Sequence, residues 1–282
     1  MIIDFHTHTF PDAVAVKVID KLGVMSGIEP ATDATVGGLA ASMKKAGIDY
    51  SVNLPVMTSP GQVKSVNSKL MGQAEEMASR GVLTFGGLHP DYEDYKKELK
   101  RLKDHGIKGI KLHPAYQSVE LRDIRNKRII AAASELDMIV LIHSGMDVGI
   151  YDKNYATVSQ ILELMKEVAP PKFVLAHLGN WAQWDDVERD LAGAPLWMDT
   201  AFTIGPVTPH HSATPGPYSH VTLTDEQFLR IARKHGTNRI LFATDSPWQD
   251  QSRYVKRFGE LPLTAEERER IMYKNAVELL GM

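Results

Sequence analysis

Cysteine is absent from this 282-residue sequence. Its absence excludes disulfides, thiolate nucleophiles, iron–sulfur clusters and cysteine-ligated zinc sites. Any bound metal must therefore be held by His, Asp, Glu or a modified Lys. A chain without cysteine is compatible with a reducing compartment, and we expect a cytoplasmic protein.

Strong charge and long apolar runs are missing as well. The formal net charge is only −3, so we expect neither nucleic acid nor an anionic membrane as a partner. No apolar run reaches the length that crosses a bilayer, and the first residues lack the pattern of a signal peptide. A glycine-rich nucleotide loop does not follow the first strand pattern, which disfavours nucleotide-binding folds.

Strand and helix patterns alternate along the sequence. Eight apolar runs are typical of strands buried on both faces. They are 2–8, 50–56, 82–90, 107–114, 138–145, 172–180, 196–203 and 239–247. Helical patterns lie between them, and the one at 263–281 begins with a capping box of Thr264 and Glu267. This alternation predicts a single-domain α/β protein over residues 1–282, a (β/α)₈ TIM barrel, with a doubly wound sheet as the alternative.

Polar side chains stand at the ends of most of these strand patterns. They are His6, His8, His89, Lys111, His113, His143, His177 and Asp245. Because the carboxyl ends of parallel strands meet at one end of a barrel, we expect these side chains to lie close together. Side chains alternate along a strand, which predicts Asp4, His6 and His8 inside the barrel and Ile3 and Phe5 against the helices.

The same alternation applies to the sixth strand pattern. It predicts that Leu175 and His177 point into the barrel, and that Val174 and Ala176 face the helices. Imidazole and carboxylate groups gathered at a barrel mouth are the ligands that a divalent ion prefers. Zinc is the first expectation, with manganese or iron as alternatives because their ligand preferences overlap, and the site could hold one or two ions.

Residues near the strand ends are candidates for contact with a substrate. We expect His89, His113 and Trp248 to have this role, and Asp4 to orient a neighbouring ligand. The segments that follow the strands are expected to set specificity. They are 9–34, 56–62, 114–120, 145–156 and 204–222. Within the last of these, His210, His211 and His220 are expected to face solvent.

Five segments resemble the motif series of the amidohydrolase superfamily. They are DFHTH, GIKLHP, IHSG, LAHLGN and FATDSP, one per strand between residues 2 and 248. They are most similar to the amidohydrolase-2 branch, which contains metal-dependent hydrolases and non-oxidative decarboxylases. The resemblance implies that the metal ligands are His6, His8, His143, His177 and Asp245. It also implies catalytic roles for Asp245 and His177, and for Lys111 either a bridge to a second metal or a contact with the substrate.

These observations together predict a metal-dependent hydrolase. We expect a metal-activated water to cleave a C–N or C–O bond of an amide, ester or lactone, with a small molecule as the substrate. The first alternative is a non-oxidative decarboxylase of an aromatic or unsaturated carboxylic acid. A TatD-like phosphoesterase is disfavoured because those nucleases carry a glutamate at the position of Lys111. A non-catalytic metal-binding barrel is the last alternative, and a homo-oligomer such as a dimer is compatible with the sequence.

Overall fold

A computed structural model describes residues 1–214, 216–217 and 221–282. The strands are β1 (Ile3–Thr7), β2 (Tyr50–Asn53), β3 (Val82–Thr84), β4 (Gly86–Gly87), β5 (Gly109–Leu112), β6 (Ile139–Ile142), β7 (Phe173–Leu175), β8 (Trp197–Asp199) and β9 (Ile240–Leu241). Each predicted strand pattern contains at least one of them. The third pattern contains both β3 and β4, which are separated by Phe85.

Helices connect these strands. The α-helices are α1 (Asp12–Ser26), α2 (Val36–Ala46), α3 (Gln62–Ser79), α4 (Tyr95–Asp104), α5 (Pro114–Gln117), α6 (Ile124–Glu135), α7 (Val158–Glu167), α8 (Trp184–Asp186), α9 (Asp225–His235), α10 (Gln251–Gly259), α11 (Ala265–Glu269) and α12 (Asn275–Leu280). Two π-helical segments (Val187–Leu191 and Arg270–Lys274) and a 3₁₀ turn (Thr237–Arg239) complete them. Among the residues described, no helix is both long and apolar enough to cross a bilayer.

The sheet closes on itself. All strand pairs are parallel, in the order β1–β2–β3 and β4–β5–β6–β7–β8–β9. The amide of Phe85, which lies between β3 and β4, donates to the carbonyl of Asn53 in β2 (3.0 Å). This bond makes the two sheets continuous through the third strand pattern. The amide of Phe5 donates to the carbonyl of Phe242 (2.9 Å), which joins β1 to β9. These contacts confirm the predicted (β/α)₈ barrel.

Two hydrophobic clusters separate the inside of the barrel from its helical layer. The outer cluster contains Leu99, Ile129 and Ile161 of the helices together with Val140 and Ile142 of β6. The inner cluster draws apolar side chains from strands all round the sheet and from the last helix. They are Ile3, Phe5, Val52, Leu54, Phe85, Ile139, Leu141, Val174, Ala176, Ala201, Leu241, Ala243, Ala276, Leu279 and Leu280. Residues of α12 therefore close one end of the barrel.

The first strand does not alternate as predicted. Asp4 pairs with Ser51 and Thr7 with Asn53, so β1 carries one residue more than β2 over this stretch, which is a β-bulge. Asp4 faces the helices, where its carboxylate accepts from Nε2 of Gln251 at the start of α10 (2.7 Å). Ile3 and Phe5 point into the barrel instead. Because the extra residue interrupts the alternation between Asp4 and Thr7, His6 points inward although Phe5 before it does so too.

The sixth strand pattern also departs from its prediction. Val174 and Ala176 belong to the inner cluster, while Leu175 belongs to the outer one. His177 and Leu178 then adopt left-handed backbone angles, with φ of 62° and 51°. This turn, rather than regular alternation, carries the imidazole of His177 to the barrel mouth.

Candidate active site

A cavity of about 890 Å³ opens at the carboxyl ends of the strands. Its lining contains most of the side chains that the sequence predicted for a site. They are His6, His8, Lys111, His113, His143, His177, Asp245 and Trp248. Residues from five strand ends therefore meet in one place, as the barrel geometry requires.

His89 is the predicted site residue that does not join them. It is absent from the described lining of the cavity, although its side chain is buried. Its Nδ1 accepts from the amide of Asp91 (3.1 Å), so the ring stabilises the turn that follows β4. The structure therefore does not bring His89 to the cavity with the other predicted site residues.

His6 and His8 direct one ring nitrogen each at the same point. Nδ1 of His6 lies 2.8 Å from Oδ2 of Asp199, and Nδ1 of His8 lies 2.7 Å from the carbonyl of Leu54. Because both partners only accept, we assign the ring protons to Nδ1, which leaves lone pairs on both Nε2 atoms. These two atoms are 3.1 Å apart. Burial holds the pKa of His6 well below its usual range, which keeps this ring neutral.

His143 and His177 form a second pair of the same kind. Nε2 of His143 donates to the carbonyl of Met146 (3.1 Å), and Nδ1 of His177 donates to the carbonyl of Ala201 (2.9 Å). The remaining nitrogens, Nδ1 of His143 and Nε2 of His177, face each other at 3.0 Å. Burial lowers the pKa of both rings. Two opposed lone pairs repel each other unless a proton or a metal ion lies between them.

Asp245 supplies a carboxylate to the first pair. Its Oδ1 lies 3.2 Å from Nε2 of His8 and 3.5 Å from Nε2 of His6. This oxygen is buried, and no described residue gives it a hydrogen bond. A divalent cation would satisfy the oxygen and both nitrogens at once, so these three residues fit a metal ion.

Lys111 reaches the centre of this group. Its side chain is 1% exposed, and its Nζ lies 3.1 Å from Nε2 of His6. Burial lowers the pKa of Lys111 to about 8, although the carboxylates of Asp199 and Asp245 act in the opposite direction. The site therefore combines neutral imidazoles, carboxylates and one amine within contact distance.

Asp199 is a functional candidate that the sequence did not identify. It ends β8, and its Oδ2 accepts from Nδ1 of His6. Its Oδ1 accepts from the amides of His177 (2.9 Å) and Ala201 (3.0 Å). One carboxylate thus orients residues on two strands. Its position at the end of the LWMD segment is the same signal that marks the other strand-end residues, and it could have been found in this way.

Asp147 is a second residue that the sequence did not identify. It follows β6 in a loop, where its Oδ1 accepts from the amides of Gly149 (2.8 Å) and Ile150 (2.9 Å). Its Oδ2 points toward Nε2 of His113 (3.7 Å) and Nε2 of His143 (3.8 Å). Burial raises the pKa of Asp147 to about 6. No pattern in the sequence marks this residue, since its place depends on the path of the loop.

The three histidines of segment 204–222 differ from one another. His211 is 72% exposed, as predicted. His210 is buried, contrary to the prediction, and its Nδ1 accepts from the amide of Ser212 (3.2 Å). A Cβ atom at Gly23 would lie 3.0 Å from the ring of His210, so the glycine makes room for it. His220 lies outside the described residues.

Aromatic side chains line the cavity around the polar centre. They are Phe10, Tyr116, Trp181, Phe202 and Trp248. His113 connects this wall to the polar groups, since its ring stacks on that of His143 (4.2 Å between centroids) and meets Tyr116 edge to face (4.6 Å). The cavity therefore offers flat apolar surfaces beside charged and metal-binding groups.

A family model described as amidohydrolase matches residues 3–282. The chain belongs to the amidohydrolase-2 family. This result confirms the resemblance that the five strand-end motifs indicated, and it places the chain in a family of enzymes. A comparison of this amidohydrolase-2 member with curated proteins gave no match.

Solved structures agree with this amidohydrolase-2 assignment at the level of the fold. An uncharacterised TIM-barrel protein from Bordetella bronchiseptica is 18% identical, with a TM-score of 0.74 over 99% of this chain and 98% of that chain. 5-Carboxyvanillate decarboxylase from Sphingomonas paucimobilis is 14% identical, with a TM-score of 0.69 over 100% and 99%. A dihydroxybenzoic acid decarboxylase from Polaromonas, with bound manganese and the inhibitor 2-nitroresorcinol, is 15% identical, with a TM-score of 0.68 over 99% and 96%.

Proposed function

We propose that this protein is a metal-dependent, non-oxidative decarboxylase of an aromatic or unsaturated carboxylic acid. The observation that carries the proposal is the buried amine of Lys111 beside the metal-binding residues, in a cavity with aromatic walls. A buried ammonium group attracts a carboxylate, and flat aromatic surfaces accept a planar molecule. Two of the solved structures of the same fold are decarboxylases of aromatic acids, which supports this choice.

The metal site that we propose uses the ligands expected from the sequence. They are His6, His8, His143, His177 and Asp245. A divalent ion there, zinc or the manganese found in one of the solved structures, would polarise a substrate oxygen and stabilise developing negative charge. The carbonyl groups and Asp199 that hold the far ring nitrogens keep the near ones directed at the ion.

The remaining residues account for the other steps of a decarboxylation. Lys111 Nζ pairs with the carboxylate of the substrate, and Trp248 and Tyr116 hold its plane. When the C–C bond breaks, carbon dioxide leaves and its electron pair stays on the substrate carbon. That carbon then needs one proton. Asp147 holds this proton on Oδ2, since burial keeps its carboxyl group protonated at higher pH than usual, and solvent restores the proton afterwards.

Hydrolysis, the reaction expected first from the sequence, is the second candidate. The observation that favours it is the unpartnered Oδ1 of Asp245, which could accept a proton from a water molecule at the mouth. In that reaction His177 would serve as the second catalytic group. The two reactions differ in their products, because only decarboxylation releases carbon dioxide.

The test is an assay of the manganese- or zinc-loaded protein against hydroxybenzoic and unsaturated acids, and against amides, esters and lactones. We expect carbon dioxide release from one of the acids. Release of an amine or alcohol without carbon dioxide would show that hydrolysis is the reaction. His8→Ala should abolish turnover and lower the metal content while the far-ultraviolet circular dichroism is retained, since His8 lies at the mouth. His211→Ala, an exposed histidine of the long loop, should retain activity.

A further inference from the structure

The cavity continues beyond the polar centre into a groove between α1 and α3. On α1 the lining residues Val14, Val18 and Leu22 recur every four positions, so they lie on one face of the helix. On α3 the lining residues Val66 and Leu70 have the same spacing. We call the space between these two faces the α1–α3 groove. These five apolar side chains form part of its walls, and the polar side chains of Ser65, Lys69 and Gln73 on α3 also line the cavity.

The face of α1 that lines the groove differs from its buried face, which carries Ala15 and Ile19. Val18 and Leu22 are half-buried and belong to neither hydrophobic cluster. Across the groove, Val66 and Leu70 do pack against the outer cluster and present their outer surface to the groove. An amphipathic helix normally buries its apolar stripe against other apolar groups. Here Val14, Val18 and Leu22 lie beside the buried face of α1 and line a cavity that is continuous with the candidate active site.

We infer that the α1–α3 groove binds an apolar extension of the substrate while the substrate's carboxylate lies at Lys111. The inference rests on the proposed function and names its substrate class, a carboxylic acid that carries a hydrocarbon chain or a second ring. Continuity of the groove with the polar centre supports this occupant, because one molecule can reach both. The cavity of about 890 Å³ also lies near the upper end of the volumes that hold drug-sized ligands.

Charge at the far end of the groove agrees with an uncharged extension. Glu76 and Arg80 line this end, and they pair with each other (2.8 Å between Oε1 and the guanidinium). Their charges are thus balanced before any ligand enters. At this end, a second anionic group on the ligand would have to compete with Glu76 for Arg80, whereas a methyl-terminated chain or a phenyl ring needs no such partner.

The test measures the affinity of straight-chain carboxylates of increasing length, from acetate to dodecanoate, for the metal-loaded protein by isothermal titration calorimetry. Each methylene group that enters the groove should raise the affinity about fourfold, until the groove is filled. Val18→Glu places a charge in the wall and should lower the affinity for dodecanoate at least tenfold while acetate binding is unchanged. Val16→Glu is the matched control, since Val16 lies on the same helix, is 66% exposed and does not line the groove.

Leu70→Trp keeps the inference testable if Val18→Glu does not fold. It fills the groove without a charge, and it should shorten the chain length at which the affinity stops rising. An affinity that does not depend on chain length in the wild type would overturn the inference. So would a chain-length dependence that Val18→Glu and Leu70→Trp leave unchanged. A dimer that Val18→Glu dissociates, with no chain-length dependence, would show that a second copy of the chain occupies the groove instead.

The outcomes for the groove and for the reaction are separable. Chain-length-dependent binding without any release of carbon dioxide would support the groove as a binding site for the apolar extension and reject the decarboxylase. Release of carbon dioxide from a one-ring acid, with affinities that do not rise with chain length, would support the reaction and reject the groove as a subsite.

Discussion

The carboxylate of Asp199 links the two histidine pairs of the candidate metal site. One oxygen accepts the proton of Nδ1 of His6, and the other accepts the backbone amide of His177. Because the ring proton of His6 is held at Nδ1, its Nε2 lone pair stays directed toward Asp245. A side chain outside the proposed ligand set therefore orients two of the histidines in that set.

Replacement of Asp199 by Asn tests this role. The amide has one acceptor oxygen in place of two, so it cannot serve both His6 and His177. We expect the affinity for zinc or manganese to fall roughly 10- to 100-fold, measured by titration of the metal-free protein. Glu75→Gln, which removes an exposed acidic group, is the control. Equal affinities in the two variants would show that Asp199 does not orient the ligands.

The sequence predicted many residues of the site because the fold brings strand ends together. His8, His143 and Asp245 lie more than a hundred residues apart, yet each stands near the end of an apolar strand pattern. Side-chain direction was harder to predict. The bulge in β1 reverses the face of Asp4, and a left-handed turn redirects His177, because neither feature leaves a mark in the pattern of apolar residues.

His235 makes stability depend on pH away from the site. It ends α9, where its Nδ1 accepts from the amide of Gly193 (3.3 Å) and its Nε2 donates to the carbonyl of Leu196 (3.0 Å). Both bonds need the neutral ring, and burial lowers its pKa to about 4. Since the unfolded chain has the ordinary pKa of about 6.5, it binds more protons than the folded chain between these values. This stabilisation is therefore complete above pH 6.5 and is lost as the pH falls toward 4.

We expect the free energy of unfolding of the wild type to fall, relative to that of His235→Gln, by up to roughly 3 kcal/mol between about pH 7 and about pH 4. Glutamine keeps one donor and one acceptor but does not titrate in this range. Urea unfolding of both proteins at several pH values measures the difference. Because other buried histidines titrate in both proteins, the difference between the two curves isolates His235. Parallel curves would contradict the assignment.

Among the elements, the strands followed their sequence patterns more closely than the helices. Each apolar run became a strand because a parallel barrel buries both of its faces. Helix α1 lies in segment 9–34, for which the sequence predicted no helix. Its residue before the first turn is Pro11, which gives no side-chain cap, and four of its larger apolar residues are exposed. The C-terminal helical pattern at 263–281 is interrupted by a π-helical segment, which apolar spacing does not reveal.

The start of α11 provides a prediction for a single element. The hydroxyl of Thr264 accepts the amide of Glu267 (3.1 Å), and the carboxylate of Glu267 accepts the amide of Thr264 (2.8 Å), which confirms the predicted capping box. Thr264→Ala removes one of these bonds and should lower the free energy of unfolding by about 1 kcal/mol. Thr264→Ser keeps the hydroxyl and should lower it much less. Chemical denaturation of the three proteins measures both effects, and equal losses for Ala and Ser would exclude a capping role.

At the scale of the whole molecule, the two ends of the barrel have separate tasks. The carboxyl end carries the polar centre, whose imidazoles and carboxylates contribute little apolar packing. The other end is closed by α12, since Ala276, Leu279 and Leu280 complete the inner cluster. Nζ of Lys108, just before β5, donates to the carbonyl of Leu280 and holds the helix at the start of the strands. Substitutions in α12 should therefore change the stability of the fold without changing the candidate active site, and substitutions in the site should have the opposite effect.

Truncation of the C-terminus tests this division. Removal of residues 276–282 would expose the inner cluster to water and delete the side chains of Leu279 and Leu280, each of which stabilises the fold by about 1.5–3 kcal/mol when buried. We expect this variant to lose cooperative thermal unfolding or to unfold at a much lower temperature. Removal of Gly281 and Met282 alone, both exposed, should leave the melting temperature within a few degrees of that of the full chain. A 276–282 deletion that melts like the full chain would show that α12 is not needed to close the barrel, and that the inner cluster is stable without it.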